Sequence, residues 1–243
     1  MSSVSVVIPA LNEAPTVAKV VEAALADNPL EVLVIDADST DATAAEARSA
    51  GATVLNWREI LDTEPIPGKG ESLWRGVAAA RGDIVVFVDA DLTSFRPGMV
   101  NSLVAPFLND DIHLVKADYV RTFGDHTTGG GRVTELTAKP LLRALFPELS
   151  HIRQPLGGEY AIRRSTALAM PFVSGYGVEV GLLIDVATQF GTSSIAQVDL
   201  GSRSHNHQSL EALGSMADVV ATTILQRFGH DLPVVQREPL GIH

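Results

Sequence analysis

The chain contains 243 residues, of which 29 are acidic and 18 are basic, and its formal net charge at pH 7 is -11. Hydrophobic residues make up 46% of it and charged residues 19%, a composition that excludes a disordered chain and predicts one well-packed globular unit. Because there is no cysteine, disulfides, thiolate catalysis and cysteine-ligated zinc are excluded, and we expect a cytoplasmic location. The negative net charge also argues against binding to nucleic acid.

Short apolar runs rich in valine and isoleucine alternate with segments of helical periodicity in the first half of the chain. The runs are Val4 to Ile8, Val32 to Ile35, Ile84 to Val88 and Ile112 to Val115, and the helical segments are Pro15 to Asp27, Asp41 to Ala50 and Gly70 to Ala80. Continuously apolar strands are buried on both faces, so this order predicts a doubly wound α/β sheet. No run approaches the ~20 apolar residues of a membrane-spanning helix, and we expect no membrane anchor.

The second half of the chain is less regular. Helices are expected over Arg132 to Phe146, Val178 to Phe190 and Leu210 to Phe228, and a strand is expected over Ser194 to Val198. Residues 229–243 include Pro233 and Pro239 and are expected to form a loosely held tail. We therefore divide a single domain into residues 1–119, residues 120–228 and this tail.

Polar residues directly after three of the predicted strands form the candidate site. Pro9-Ala-Leu-Asn-Glu13 follows the first strand, Asp36-Ala-Asp-Ser-Thr-Asp41 the second and Asp89-Ala-Asp91 the third. Ligands of α/β sheets bind at the carboxyl ends of the strands, so these acidic and amide groups are expected to converge on one edge. Asp89 and Asp91 lie two apart in an extended segment and point the same way, which suits Mg²⁺ or Mn²⁺ bridging to a diphosphate. A solvated polar strand end is the alternative for this pair taken alone.

Charge is unevenly divided along the chain. The net charge is -8 over residues 1–100, +1 over residues 101–170 and -4 over the remainder, and all seven histidines follow residue 112. The first segment therefore predicts a carboxylate-rich cation site, and the middle segment supplies bases for an anion.

These strand-end motifs and five further motifs resemble a known family. The opening Val-Val-Ile-Pro-Ala-Leu-Asn-Glu, the Asp-x-x-Ser-Thr-Asp and the Asp-x-Asp are similar to the nucleotide-sugar half of a glycosyltransferase of the GT-A fold. The further motifs are Pro67-Gly-Lys-Gly-Glu71-Ser-Leu-Trp74, Gly130-Gly-Arg-Val-Thr-Glu-Leu136, Gln154-Pro-Leu-Gly-Gly-Glu-Tyr160, Gly175-Tyr-Gly-Val-Glu179 and Val198-Asp-Leu-Gly-x-Arg-x-His205. In this order they resemble actinobacterial glucosyl-3-phosphoglycerate synthases, over residues 4–228.

The resemblance implies a fold and a reaction. The fold is a Rossmann-like GT-A sheet flanked by helices, with nucleotide-sugar binding in residues 1–119 and acceptor binding and completion of the metal site in residues 120–228. The reaction is a retaining transfer of glucose from UDP-glucose or GDP-glucose to the hydroxyl of 3-phosphoglycerate, dependent on Mg²⁺ or Mn²⁺ and carried out by a homodimer. The alternatives are mannosyl transfer, a polyprenyl phosphate acceptor, and a non-catalytic nucleotide-sugar-binding protein. A lipid acceptor is disfavoured because no membrane anchor or basic amphipathic helix is visible.

The resemblance also assigns roles to individual residues. The metal ligands it implies are Asp89, Asp91 and His205, and the catalytic residues are Glu179 and Lys69. The nucleotide-sugar contacts it implies are Pro9, Ala10, Leu11, Glu13, Asp38, Lys69, Asp89, Ala90, Leu156, Tyr176 and Glu179. The acceptor contacts it implies are Gly131, Arg132, Val133 and Thr134. Without the motif that precedes it, His205 would be interpreted as a surface loop histidine.

Three of these residues suit their implied roles chemically, and each of the three also has an alternative explanation. Lys69, between two glycines at a helix start, suits the charge on a departing diphosphate in a loop flexible enough to close over the donor, and an exposed loop lysine is the alternative. Arg132 suits bidentate binding of the acceptor phosphate beside helix-start amides, and a glycine-rich hinge before a surface helix is the alternative. Glu179 suits orienting a sugar hydroxyl or stabilising positive charge at the anomeric carbon, and a helix cap is the alternative. Sequence leaves open whether it is a nucleophile.

The chain also departs from its relatives at four positions. Relatives commonly have Asp-Ser-Gly-Ser-Thr-Asp where this chain has Ala37 and Asp38 in second and third place, so a serine hydroxyl near the nucleotide is missing. Relatives tend to have asparagine and arginine where this chain has His207 and Gln208, which changes the acceptor and diphosphate contacts expected there.

Overall fold

The computed structural model of the chain describes residues 2–122, 131–204 and 210–241. The strands in these ranges are β1 (Val4–Ala10), β2 (Glu31–Asp36), β3 (Thr53–Asn56), β4 (Ile84–Phe87), β5 (Leu114–Thr122), β6 (Tyr160–Arg163), β7 (Phe172–Val173), β8 (Ile195–Ser204) and β9 (Gln236–Arg237). The α-helices are α1 (Val17–Leu25), α2 (Thr43–Ser49), α3 (Lys69–Ala79), α4 (Met99–Val104), α5 (Lys139–Leu145), α6 (Arg164–Leu168), α7 (Val178–Phe190) and α8 (Leu210–Arg227). No helix in the described ranges is long and apolar enough to cross a membrane.

The main sheet has the strand order β3-β2-β1-β4-β6-β5-β8. Its pairs are parallel except those that β6 makes with β4 and β5, which are antiparallel. The first four strands confirm the expected α/β arrangement. The reversal at β6 pairs Tyr160 with Phe87, so the segment that enters β6 lies beside the end of β4.

Two hydrophobic clusters cover the two faces of the sheet. One lies against α3, α7 and α8, and the other against α1, α2 and α4. Along β1 the side chain of Val7 enters the first cluster, while Val6 and Ile8 enter the second. This alternation explains why the strand is apolar at every position and not at every second one.

Several elements differ from the expectations drawn from sequence, among them β7, β9, α4 and α6, where no element was predicted. β3 and β6 were not predicted, because Thr-Val-Leu-Asn and Tyr-Ala-Ile-Arg do not form a continuous apolar run like that of β4. The predicted helix over residues 132–146 is divided into a π-helical turn, Thr134–Ala138, and α5. Pro140 stands at the second position of α5 and has no amide hydrogen for an α-helical bond to the preceding turn.

The C-terminal segment is packed against the protein, which differs from the loosely held tail that we expected. β9 pairs with β7 in a two-stranded antiparallel sheet. Arg237 Nε donates to Glu71 Oε2 at 2.7 Å, and Trp74 Nε1 donates to the Glu238 carbonyl at 3.2 Å. An ion pair and a strand pairing therefore hold the segment between its two prolines. The division at residues 119 and 228 stays a prediction.

Candidate active site

Hydrogen bonds join the turns that follow β1 and β2. The Asn12 amide donates to Ser39 Oγ at 2.9 Å, and Asn12 Oδ1 accepts from the Thr40 amide at 2.9 Å. The Glu13 amide donates to Thr43 Oγ1 at 2.7 Å, and Asp41 Oδ1 accepts a hydrogen bond from the Thr43 amide. Part of the polar cluster predicted here therefore shapes the two turns and holds them together.

Asp38 occupies a left-handed backbone conformation with φ of 62°. This explains why a glycine suits the position in relatives, since a side chain is disfavoured there. Here the carboxylate accepts hydrogen bonds from Asn56 Nδ2 at 3.0 Å and Arg58 Nε at 2.8 Å, and these lower the pKa of Asp38 to about 2. Asp38 thus binds the end of β3, and its contact with the donor stays a prediction.

Lys69 begins α3, and its ammonium group lies between two carboxylates. Nζ is 2.5 Å from Asp89 Oδ1 and 2.7 Å from Glu179 Oε1, and 20% of the side chain is exposed. Burial disfavours the charged ammonium, but the two carboxylates outweigh it and raise the pKa of Lys69 well above its ordinary value. Lys69 therefore stays protonated and joins three segments that are far apart in sequence.

The glycines on either side of Lys69 allow close approach to another backbone. A Cβ atom at Gly70 would lie 1.8 Å from the Val173 carbonyl oxygen, and one at Gly68, where φ is 137°, would lie 2.3 Å from the Ser174 carbonyl oxygen. Both distances are far shorter than any tolerated contact. The glycines therefore fix the start of α3 against β7, which differs from the flexible loop that we expected.

We predict that Gly70→Ala lowers the free energy of unfolding, because the new methyl group must push α3 away from β7. Overpacking of this kind typically costs about 1–3 kcal/mol. Gly214 in α8 is the matched control, because a Cβ there meets nothing within 4 Å. Gly214→Ala is expected to stabilise the protein by up to about 1 kcal/mol through helix propensity. Urea unfolding of both variants measures the difference, and an equal gain in both would contradict the proposed close approach.

The second carboxylate oxygen of Asp89 faces a cation from another strand. Arg203 Nη2 of β8 is 3.3 Å from Asp89 Oδ2, and its Nη1 is 2.6 Å from Glu159 Oε1. Burial would raise the pKa of Asp89, but the charges of Lys69 and Arg203 outweigh it and lower that pKa to about 2. Arg203 thereby connects the motif before β6 with the Asp-x-Asp pair. Arg203 and Glu159 lie within two of the sequence motifs, but neither residue was predicted to have a role.

Lys116, a buried lysine of β5, supports the segment that precedes β6. Lys116 Nζ donates to the Gly157 carbonyl at 2.7 Å and lies 4.5 Å from the centre of the Tyr160 ring. Burial lowers the pKa of Lys116 to about 8. The next glycine, Gly158, packs so closely on Asp89 that a Cβ atom there would lie 2.2 Å from Oδ2. Lys116 was missed because it directly follows a predicted apolar run and its burial depends on β6.

The carboxylates at this edge fit a divalent cation. Burial raises the pKa of Glu13, and the charges of Asp91 and Asp89 add to this shift. Desolvation and then the charge of Asp89 raise the pKa of Asp91. A divalent cation would neutralise this crowded negative charge, and the oxygen donors suit Mg²⁺ or Mn²⁺. Among the described residues, no group of three or more metal-ligating side chains is placed to hold a metal ion. His205, the third predicted ligand, lies outside those residues.

The other predicted donor contacts lie at the ends of the same elements. Leu11 and Tyr176 expose 54% and 50% of their surface, so both side chains are accessible to a ligand. Ala10 and Ala90 are buried, and Pro9 and Leu156 are half-buried. These roles stay predictions.

The four predicted acceptor residues form the start of a helical segment. Gly131 has a left-handed φ of 72°, and its carbonyl accepts from the Glu135 amide at 3.0 Å. Helical conformation begins at Arg132, and Val133 and Thr134 are buried. The π-helical turn that follows packs against α8, and such turns are frequent at functional sites. Binding of the acceptor phosphate here stays a prediction, and His207 and Gln208 lie outside the described residues.

The fold and the charged groups together define a class of enzyme. A mostly parallel sheet carries an Asp-x-Asp pair at the carboxyl end of its central strand β4, and a lysine and an arginine face the first aspartate of the pair. This arrangement defines a glycosyltransferase of the GT-A fold. The model of glycosyl transferase family 2 matches residues 5–175.

Similarity to known proteins identifies the family to which the chain belongs within this class of enzymes. The chain is 49% identical over 239 residues to the glucosyl-3-phosphoglycerate synthase of Mycolicibacterium paratuberculosis, covering 93% of this chain and 73% of the relative. It is 44% identical over 236 residues to that of Petrotoga mobilis, covering 92% and 73%. The Mycobacterium tuberculosis synthase, crystallised with Mn²⁺, UDP-glucose and phosphoglyceric acid, superimposes with a TM-score of 0.91 at 43% identity, covering 98% of this chain and 90% of that one. The chain belongs to the glucosyl-3-phosphoglycerate synthase family.

Proposed function

We propose that this protein transfers glucose from UDP-glucose to the hydroxyl of 3-phosphoglycerate, with a divalent cation as cofactor. The observation that carries the proposal is the contact of Lys69 with Asp89 and Glu179, which joins three family motifs at one point of the sheet edge. A complex of the M. tuberculosis synthase with Mn²⁺, UDP and glucosyl-3-phosphoglycerate supports the same reaction.

The carboxylates at the sheet edge repel a diphosphate, so the donor must bind together with positive charge. Asp89, Asp91 and His205 would hold Mg²⁺ or Mn²⁺, which when bound neutralises charge on the leaving diphosphate. Lys69 carries a fixed positive charge at the same edge. Its ammonium group stabilises the diphosphate as the bond between the anomeric carbon and the phosphate oxygen breaks.

We propose that the transfer retains the anomeric configuration by a front-face route. The acceptor hydroxyl forms the new bond to the anomeric carbon on the side that the diphosphate leaves, and its proton passes to a diphosphate oxygen. Glu179, buried and held by Lys69, stabilises the positive charge that develops on the sugar. No covalent glucosyl-enzyme is required. Arg132, with the amides of Val133 and Thr134, binds the acceptor phosphate.

The decisive experiment supplies purified protein with UDP-glucose, 3-phosphoglycerate and Mn²⁺. We expect UDP release only when 3-phosphoglycerate is present, and a product whose α-anomeric signal by NMR matches that of the donor. Parallel reactions with GDP-glucose, GDP-mannose and polyprenyl phosphate test the alternative donors and acceptors. Release of UDP without acceptor would contradict the assignment, and tight donor binding without turnover would favour a nucleotide-sugar-binding protein.

We also propose that the enzyme is a homodimer and acts in the cytoplasm. Val219 on the long helix α8 exposes 37% of its surface and offers an apolar contact to a second copy. A monomer mass by light scattering would exclude the dimer. The absence of cysteine suits a reducing compartment, and cell fractionation tests this location.

A further inference from the structure

We propose that Arg237, in the C-terminal segment, is a positioning residue that places Lys69 for the donor diphosphate. The inference rests on the proposed function, because it takes Lys69 to bind that diphosphate. Asp89 and Glu179 hold the ammonium group of Lys69. Because the lysine side chain is long and flexible, the position of its backbone at the start of α3 decides whether the ammonium group reaches these two carboxylates.

The guanidinium group of Arg237 binds the first turn of α3. Its Nε and Nη2 atoms lie 2.7 and 2.9 Å from the two oxygens of Glu71, two residues after Lys69. Glu71 is fully buried and has Arg75 Nε as a second partner at 2.7 Å. A buried carboxylate needs partners in fixed positions, and a bidentate arginine also fixes its orientation. Arg237 therefore sets where this turn of the helix lies.

The backbone of Arg237 supports the same turn from the other side. Arg237 pairs with Phe172 in the β7–β9 sheet. The next residue of β7, Val173, has the carbonyl on which Gly70 rests with no room for a Cβ atom. The side chain of Arg237 therefore holds Glu71 in the first turn of α3, and the backbone of Arg237 holds β7, the strand against which that turn packs.

The two arginines around Glu71 also fix the segment between β3 and α3. Arg237 Nη2 donates to the Glu64 carbonyl, and Arg75 Nη1 donates to the Trp57 carbonyl at 2.8 Å. This segment precedes Lys69 in the chain. Loss of Arg237 would therefore loosen the chain on both sides of Lys69, in the segment before it and in the helical turn after it.

The first test compares Arg237→Ala with a matched control, Arg163→Ala. The two side chains are equally exposed, at 17% and 18%, and each lies over an aromatic ring, at 5.1 and 5.4 Å. Arg163 also donates to main-chain carbonyls, but it pairs with Ile84 at the start of β4, away from the carboxyl end where Asp89 lies. The measurements are kcat and KM for UDP-glucose and 3-phosphoglycerate, and the affinity for UDP with Mn²⁺ by calorimetry.

We expect Arg237→Ala to lower kcat/KM for UDP-glucose by about 10²-fold, the loss typical of a misplaced catalytic group. The KM for 3-phosphoglycerate should stay unchanged, and Arg237→Lys should restore part of the activity, because lysine supplies the charge without the bidentate geometry. Arg163→Ala should change neither parameter. Normal donor kinetics in Arg237→Ala would overturn the proposal. If that variant does not fold, the same donor kinetics are measured on Arg237→Lys, where wild-type values would also overturn it.

The second test asks whether Arg237 acts through Lys69. In the background of Lys69→Ala, adding Arg237→Ala should lower kcat/KM by less than about threefold, since the group that it positions is already gone. Losses that multiply would show an independent effect and overturn the proposal. Absence of acceptor-dependent UDP release in the wild-type enzyme would instead contradict the proposed function, and calorimetry with UDP would still report on Arg237.

Discussion

Replacing Asp91 with alanine is expected to abolish glucosyl transfer while leaving the fold intact. Desolvation and then the charge of Asp89 raise the pKa of Asp91, so the negative charge of this carboxylate is unfavourable in the folded chain. Removing it relieves this repulsion, so the free energy of unfolding should stay equal or rise. The cation that neutralises the diphosphate loses an oxygen ligand at the same time. We expect kcat to fall by at least about 10³-fold, a loss of the size that removal of transition-state charge stabilisation produces.

The measurements are UDP release over a range of Mn²⁺ concentrations and Mn²⁺ binding by calorimetry. Asp110→Ala is the control, because this aspartate is fully exposed and lies after α4, away from the sheet edge. Weakened Mn²⁺ binding in Asp91→Ala alone is the expected result. Near-normal turnover in both Asp91→Ala and His205→Ala would remove the metal site as proposed.

The parallel half of the fold could be predicted from sequence because burial on both faces leaves a continuous apolar run. The same reasoning predicted α7 to its last residue, since its periodicity ends at Gly191. It could not find β6, whose four residues are defined by the strands on either side. It misjudged the C-terminal segment, because the partner of Arg237 is Glu71, 166 residues away, and two prolines gave the stronger local signal.

The candidate site could be predicted where its residues belong to recognisable sequence motifs. Lys69, Asp89 and Glu179 each stood out, and the structure brings them into contact. What sequence could not provide is the charge balance around them. Arg203 and Lys116 belong to strands, and their approach to this site depends on the order in which β5, β6 and β8 pair.

Glu179→Gln is expected to lower kcat by about 10²-fold with little change in the KM for UDP-glucose. Glutamine keeps the size of the side chain and an oxygen for Lys69, which lies 2.7 Å from Glu179 Oε1. It loses the negative charge that stabilises a positive anomeric carbon, so the loss should appear in the transition state and not in donor binding. A residue that only orients a sugar hydroxyl would tolerate the change, and so would a protein that binds nucleotide sugars without turning them over.

The control is Glu31→Gln, which neutralises another mostly buried carboxylate, 8% exposed and paired with Arg81 at 2.8 Å, at the opposite end of the sheet. Normal kcat in Glu179→Gln would refute the electrostatic role. Glu179→Ala with added azide separates the front-face route from a covalent one. If Glu179 were the nucleophile, azide would enter the space left by its side chain, displace UDP and give a β-glucosyl azide. The front-face route places no nucleophile on that side of the sugar, so we expect no azide adduct and no recovery of UDP release.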